Sequence, residues 1–114
     1  MNNTGSIFVG FIDTEIAGKY QKLRHSTQAD IRVLKLIEKA VDFLKIKPNK
    51  GLQIKKEQIP DVYFKKYGID NLWKYDLSED WRMIYTITGN GREITVQIIE
   101  WFDHKQYDKR FGYN

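Results

Sequence analysis

Apolar and polar positions change their spacing along the chain, and each change marks an element. Ile7-Phe8-Val9-Gly10-Phe11-Ile12 is a short apolar, β-prone run ended by Asp13, which predicts a buried strand followed by a capped helix. From Thr14 to about His25, Ile16, Tyr20 and Leu23 recur at helical spacing while Lys19, Lys22 and Arg24 take the other face. Thr27 and Asp30 have capping-box spacing, and beyond them Val33, Ile37, Ala40 and Leu44 form a spine flanked by Leu34, Leu36 and Val41. Pro48 and Gly51 stop it. Two helices joined by a few residues make an antiparallel hairpin.

Residues 51–71 read as an irregular insertion carrying Lys55 and Lys56. Within it, Ile59 to Gly68 has a proline where a first turn tolerates one and a glycine where helices end, so a short helix is expected there. Leu72 to Leu77, Trp81 to Thr88 and Glu93 to Phe102 are strand-like, with Ser78-Glu79-Asp80 and Gly89-Asn90-Gly91 as turns. The tail from Asp103 to Asn114 reads as a last short helix or a strand extension. Residues 1–114 are expected to form a single α+β domain: an N-terminal strand, a two-helix hairpin, a short helix, then a three-stranded antiparallel meander with the helices on one face.

Strand alternation divides the meander into two faces. Trp81, Met83, Tyr85 and Ile87 form one large apolar face that should meet the helices, and Arg82, Ile84 and Thr86 point the other way. In the preceding strand Trp73, Tyr75 and Leu77 share a face, while Lys74 and Asp76 share the opposite one. With helices on one side only, Lys74, Asp76 and Arg82 are expected to converge on an open, concave face. That arrangement aims an ammonium and a guanidinium at one anion. A cross-strand ion pair between Arg82 and Asp76 is the structural alternative, and on geometry alone it is the stronger of the two.

Composition narrows the chemistry. With no cysteine, the chain has no disulfide framework, thiol nucleophile, iron–sulfur cluster or sulfur-dependent zinc site, and two histidines leave little for a histidine-rich metal site. No run of apolar residues is long enough to span a bilayer, and the start at Met1 to Ser6 lacks the basic segment of a secretory leader. A cytoplasmic protein is expected. The net charge of +4 (19 basic minus 15 acidic residues) favours polyanionic partners, although a lysine- and isoleucine-rich composition produces such a surplus in proteins of any kind.

His104 follows the last strand directly, and histidine is the residue type best suited to proton transfer. Lys105, Lys109 and Arg110 follow as phosphate-binding candidates, and Tyr107 or Phe111 as rings on which a base stacks. His25, in the last turn of a helix, has an electrostatic explanation already.

The run Asp80-Trp81-Arg82-Met83-Ile84-Tyr85, followed by a hairpin, an apolar strand and Asp103-His104-Lys105-Gln106-Tyr107, resembles the RelE/ParE toxin superfamily. The likeness is strongest over Leu72 to Phe111, where Leu72-Trp73-Lys74-Tyr75-Asp76-Leu77 is similar to the family's basic strand. It implies the toxin of a type II toxin–antitoxin system: a ribosome-dependent endoribonuclease that cuts mRNA in the A site and is silenced by a cognate antitoxin. The reaction implied is attack of a ribose 2′-OH on the adjacent phosphate, which requires no metal or other cofactor. Carried over by position, Arg82 stabilises the phosphorane, Lys74 assists, His104 is the acid or base, and Tyr107 stacks on or orients the nucleotide. Lys105, Lys109, Arg110, Lys55, Lys56 and Phe111 are then the RNA-binding residues.

Two departures bear on that transfer. Asp76 stands where some RelE proteins have a second lysine, and Tyr107 follows His104 more closely than in many relatives, which makes Phe111 or Tyr113 an alternative ring. Two other readings share the fold: a ParE-like gyrase inhibitor, which is no nuclease, and a catalytically degenerate RNA- or protein-binding module. A monomer or weak dimer is expected for the free chain, and a hetero-oligomer with the antitoxin.

Overall fold

The computed structural model describes residues 5–112, so Tyr113 lies outside the described residues, as does most of the start read above for a leader. Among the described residues, five strands form one sheet in the order β1-β5-β4-β3-β2: β1 (Ser6–Phe11), β2 (Leu52–Gln53), β3 (Trp73–Asp76), β4 (Trp81–Gly89) and β5 (Glu93–Asp103). β1 runs parallel to β5, and the other neighbours are antiparallel. The helices are α1 (Thr14–Leu23), α2 (Gln28–Ile46), α3 (Asp61–Tyr67) and α4 (His104–Phe111). The α+β class, the element order and the meander agree with the sequence reading; β2 was not foreseen.

Local chemistry sets the helix boundaries. Asp13 accepts the Ile16 N–H at 2.9 Å and starts α1, and Thr27 Oγ1 accepts the Asp30 N–H at 3.1 Å and starts α2. Asp103 and Gln106 form a reciprocal capping box, which settles the tail as a helix. Gly68 ends α3 with φ of 63°, a left-handed conformation that glycine adopts without steric cost.

The sheet has a core on each side. Val33, Ile37, Ala40 and Leu44 of α2 pack on Met83, Tyr85, Val96 and Ile98, as the alternation in β4 predicts. On the opposite face Tyr63 of α3 and Tyr107 of α4 join Ile54, Ile59, Leu72, Ile84, Ile99 and Phe102 in a second core. The expectation that all helices share one face therefore holds for α1 and α2 only. That second face is apolar through Ile84 and Leu72, and a bulge in β5 adds to it: Ile84 pairs with Glu100 and Tyr85 with Ile98, leaving Ile99 as an extra residue. Alternation inverts there, so Ile98 and Trp101 belong to the first core while Ile99 and Phe102 belong to the second.

Candidate functional site

The antiparallel register of β3 and β4 sets Asp76 opposite Arg82, and the two-residue strand period puts Lys74 on the same face. Asp76 Oδ1 lies 3.1 Å from Arg82 Nε and 3.3 Å from Lys74 Nζ. The cross-strand pair weighed in the sequence is thus present, with a second cation on the same oxygen. Arg82 is also held from behind. Its Nη1 donates to the carbonyls of Ser78 and Glu79, both at 3.0 Å, and of Trp81 at 3.3 Å. These bonds tie the guanidinium to the turn between β3 and β4, where Ser78 Oγ accepts the Asp80 N–H at 3.2 Å.

The face carrying these residues is not open, which corrects the concave surface expected above. The side chains of Lys74 and Arg82 are each 20% exposed, because Ile84 and Phe102 beside them are covered by the second core. Lys74 Nζ lies 5.8 Å from the centre of the Tyr107 ring, a cation–π contact that brings α4 to the cation pair.

His104 opens α4. Its backbone N–H donates to the Asp80 carbonyl at 2.7 Å, and its Nδ1 is 3.8 Å from Asp80 Oδ1, an ion-pair distance beyond hydrogen-bond reach. That nitrogen is shielded from solvent and has no hydrogen-bond partner among the described residues, although the side chain as a whole is 45% exposed. The Arg82 guanidinium holds the Ser78 and Glu79 carbonyls and the His104 N–H holds that of Asp80, so both residues attach to one turn.

The remaining candidates divide into buried and exposed groups. Tyr107 is buried, stacked on Phe111 at 4.5 Å between centres and edge-on to Phe102 at 5.8 Å. Phe111 stacks on Tyr63 as well, at 6.1 Å. These rings are packed in the second core, which is where an apolar face of α4 must go, and are not presented to a nucleotide base as expected. Arg110 Nη1 donates to Glu100 Oε2 and to the Tyr63 hydroxyl, both at 2.9 Å, so this cation is committed within the protein. Lys105 and Lys109 on α4, and Lys55 and Lys56 between β2 and α3, are exposed and lie outside the Lys74–Arg82 cluster. No group of three or more His, Cys, Asp or Glu placed to hold a metal occurs among the described residues.

Sequence reasoning missed Glu100 and Lys50, and it gave Asp80, though part of the quoted run, no role toward His104. Lys50 lines a groove of about 410 Å³ with Gly51, Leu52, Lys74, Tyr75 and Asp76. The groove exists because β2 pairs with β3, Leu52 opposite Lys74, and a two-residue strand has no periodicity to find. Glu100 sits at the bulge, where alternation assigns it to the wrong face.

No family model matches the chain, and no curated protein matches it. Among solved structures, it is similar to the YoeB/ParE toxin from Agrobacterium tumefaciens, with 15% identity and a TM-score of 0.51 over 87% of this chain and 98% of that one. Identity at that level speaks for architecture alone: the chain shares the mixed α+β fold of that structure.

Proposed function

We propose that this chain is the toxin of a type II toxin–antitoxin pair and cleaves mRNA on the ribosome, in the cytoplasm, under the control of a cognate antitoxin. The observation that supports this reading is the joint placement of Lys74, Arg82 and His104. Two cations share one carboxylate, and His104 is joined to the adjoining turn through its backbone N–H, with its Nδ1 3.8 Å from Asp80 Oδ1. In the reaction a ribose 2′-OH attacks the neighbouring phosphorus and the P–O5′ bond breaks. The products are a 2′,3′-cyclic phosphate and a 5′-hydroxyl, with one proton leaving the 2′-oxygen and one arriving at the 5′-oxygen. Lys74 and Arg82 offset the charge that builds on the phosphoryl oxygens, and His104 carries a proton. Tyr107 acts from beneath by holding Lys74, while Lys105, Lys109, Lys55 and Lys56 are free of the core to meet RNA phosphates.

One observation favours a second reading on the same fold, a gyrase inhibitor or a catalytically silent binding module. Arg82 spends its Nη1 on turn carbonyls and its Nε on Asp76, which is what a purely structural arginine does. Primer extension on a reporter mRNA in a reconstituted translation reaction separates the two. The nuclease reading expects ribosome-dependent cuts within codons that disappear in Arg82→Ala and fall at least about tenfold in His104→Ala. A folded, antitoxin-free protein that makes no cuts moves the assignment to the second reading, which a supercoiling assay with gyrase then tests.

A further inference from the structure

Asp76 differs from its two partners in how it is held. Its carboxylate is 57% exposed, whereas Lys74 and Arg82 beneath it are each 20% exposed, and both contacts fall on Oδ1. An anion arriving from solvent therefore meets the carboxylate before it meets either cation. Each cation has a second anchor besides Asp76. Arg82 is anchored through Nη1 to three carbonyls, and Lys74 rests over the Tyr107 ring. If Asp76 swings away, the pair stays where it is. The groove shared by Lys50, Lys74 and Asp76 runs alongside and has about 410 Å³ of room, several times what a phosphate group fills.

We propose that Asp76 is a built-in competitor: a carboxylate that occupies the phosphate position of the Lys74–Arg82 pair and must be displaced for a phosphate or phosphodiester to bind. With Asp76 in place the three groups carry one net positive charge, and with it displaced the two cations carry two. The device sets a threshold. Small monoanions such as chloride or acetate do not out-compete a carboxylate tethered at this distance. A phosphate that also gains contacts along the groove, from Lys50 above all, does. Asp76 is then a specificity-determining residue. The inference rests on the cation pair that the proposed nuclease reading uses, but not on cleavage.

The test is a titration of the intact protein with inorganic phosphate, followed by the NMR signal of the Arg82 Nε–H. Asp76→Asn keeps the shape of the side chain and removes its charge. It is expected to tighten phosphate binding about fivefold, with the Arg82 signal moving along the titration. Asp76→Glu, which restores a charge, is expected to return binding to the native strength. Lys74→Gln combined with Asp76→Asn should cancel the gain. Asp42→Asn adds the same unit of charge on α2 and should change affinity less than about twofold. Equal or weaker binding by Asp76→Asn overturns the proposal, as does an equal gain in Asp42→Asn. If the asparagine variant loosens the turn, Asp76→Ser is read by the same criteria. Neither RNA nor ribosomes enter this titration, so a failure to cut mRNA leaves its result standing, and a failed titration leaves the cleavage assay to be judged by itself.

Discussion

The hydroxyl of Tyr63 donates to Glu100 Oε2 at 2.8 Å and thereby joins α3 to the bulged part of β5. Arg110 of α4 closes the group from the other side, donating to both. Burial, reinforced by the neighbouring carboxylate, pushes the Tyr63 phenol well above its ordinary value. Three elements of the second core are thus pinned by one network, across the sheet from α2.

Tyr63→Phe is expected to cost about 1 to 2 kcal/mol, since it removes one donor and leaves Arg110 one acceptor short. Glu100→Ala should cost a similar amount, and the double variant less than the sum, with a coupling of roughly 1 kcal/mol. Urea unfolding of the four proteins measures this. Strict additivity would mean that the network does not act as a unit.

Stability should fall at alkaline pH because of Tyr85. Its hydroxyl donates to the Pro48 carbonyl at 2.9 Å and accepts the Gly51 N–H at 3.0 Å, and burial pushes its pKa up to about 12 from 10.0. The folded state therefore holds this proton more tightly than the unfolded chain. The contribution is complete below pH 10 and is lost as the pH rises through about 12. The raised Tyr63 phenol acts with the same sign. Tyr85→Phe should remove roughly one proton from the pH dependence between these limits, read from unfolding midpoints and tyrosinate absorbance. An unchanged slope would refute the assignment.

Gly51→Ala should detach β2 from β3. A Cβ at this position would lie 2.5 Å from the Lys74 carbonyl oxygen and 2.7 Å from the Tyr85 hydroxyl, so backbone must move. The expected cost is about 1 to 3 kcal/mol. Hydrogen exchange at Ile54 N–H, which donates to the Leu72 carbonyl at 2.9 Å, should accelerate first.

What the sequence revealed follows from how local each signal is. The spine of α2, the caps at Asp13 and Thr27 and the Gly89–Gly91 turn rest on contacts within a few residues, and all were legible. The faces of β4 were legible because its alternation is unbroken. Beyond Ile99 alternation misleads, since one inserted residue exchanges the faces of Glu100, Trp101 and Phe102. The Asp103-to-Gln106 spacing carries the signal for α4, although composition alone fits a strand extension equally well. Tyr107 and Arg110 were read as RNA-facing because their partners Lys74 and Tyr63 lie 33 and 47 positions earlier (107 minus 74, 110 minus 63), which no local pattern encodes. Lys74, Asp76 and Arg82 were grouped by strand alternation, and the structure brings them together; that the carboxylate lies outermost needed the burial of its partners.

The parallel pairing of β1 with β5 has a consequence for how the chain is made. Ser6 is matched to Glu93, 87 positions later (93 minus 6), so β1 waits for β5, made after the other strands of this sheet, before it gains a neighbour. During translation α1 and α2 emerge with their apolar stripe and no sheet to cover it, and closing so long a loop is slow. A partner that engages the nascent chain before β5 emerges would meet that stripe uncovered, whereas one arriving afterwards finds the sheet already in place.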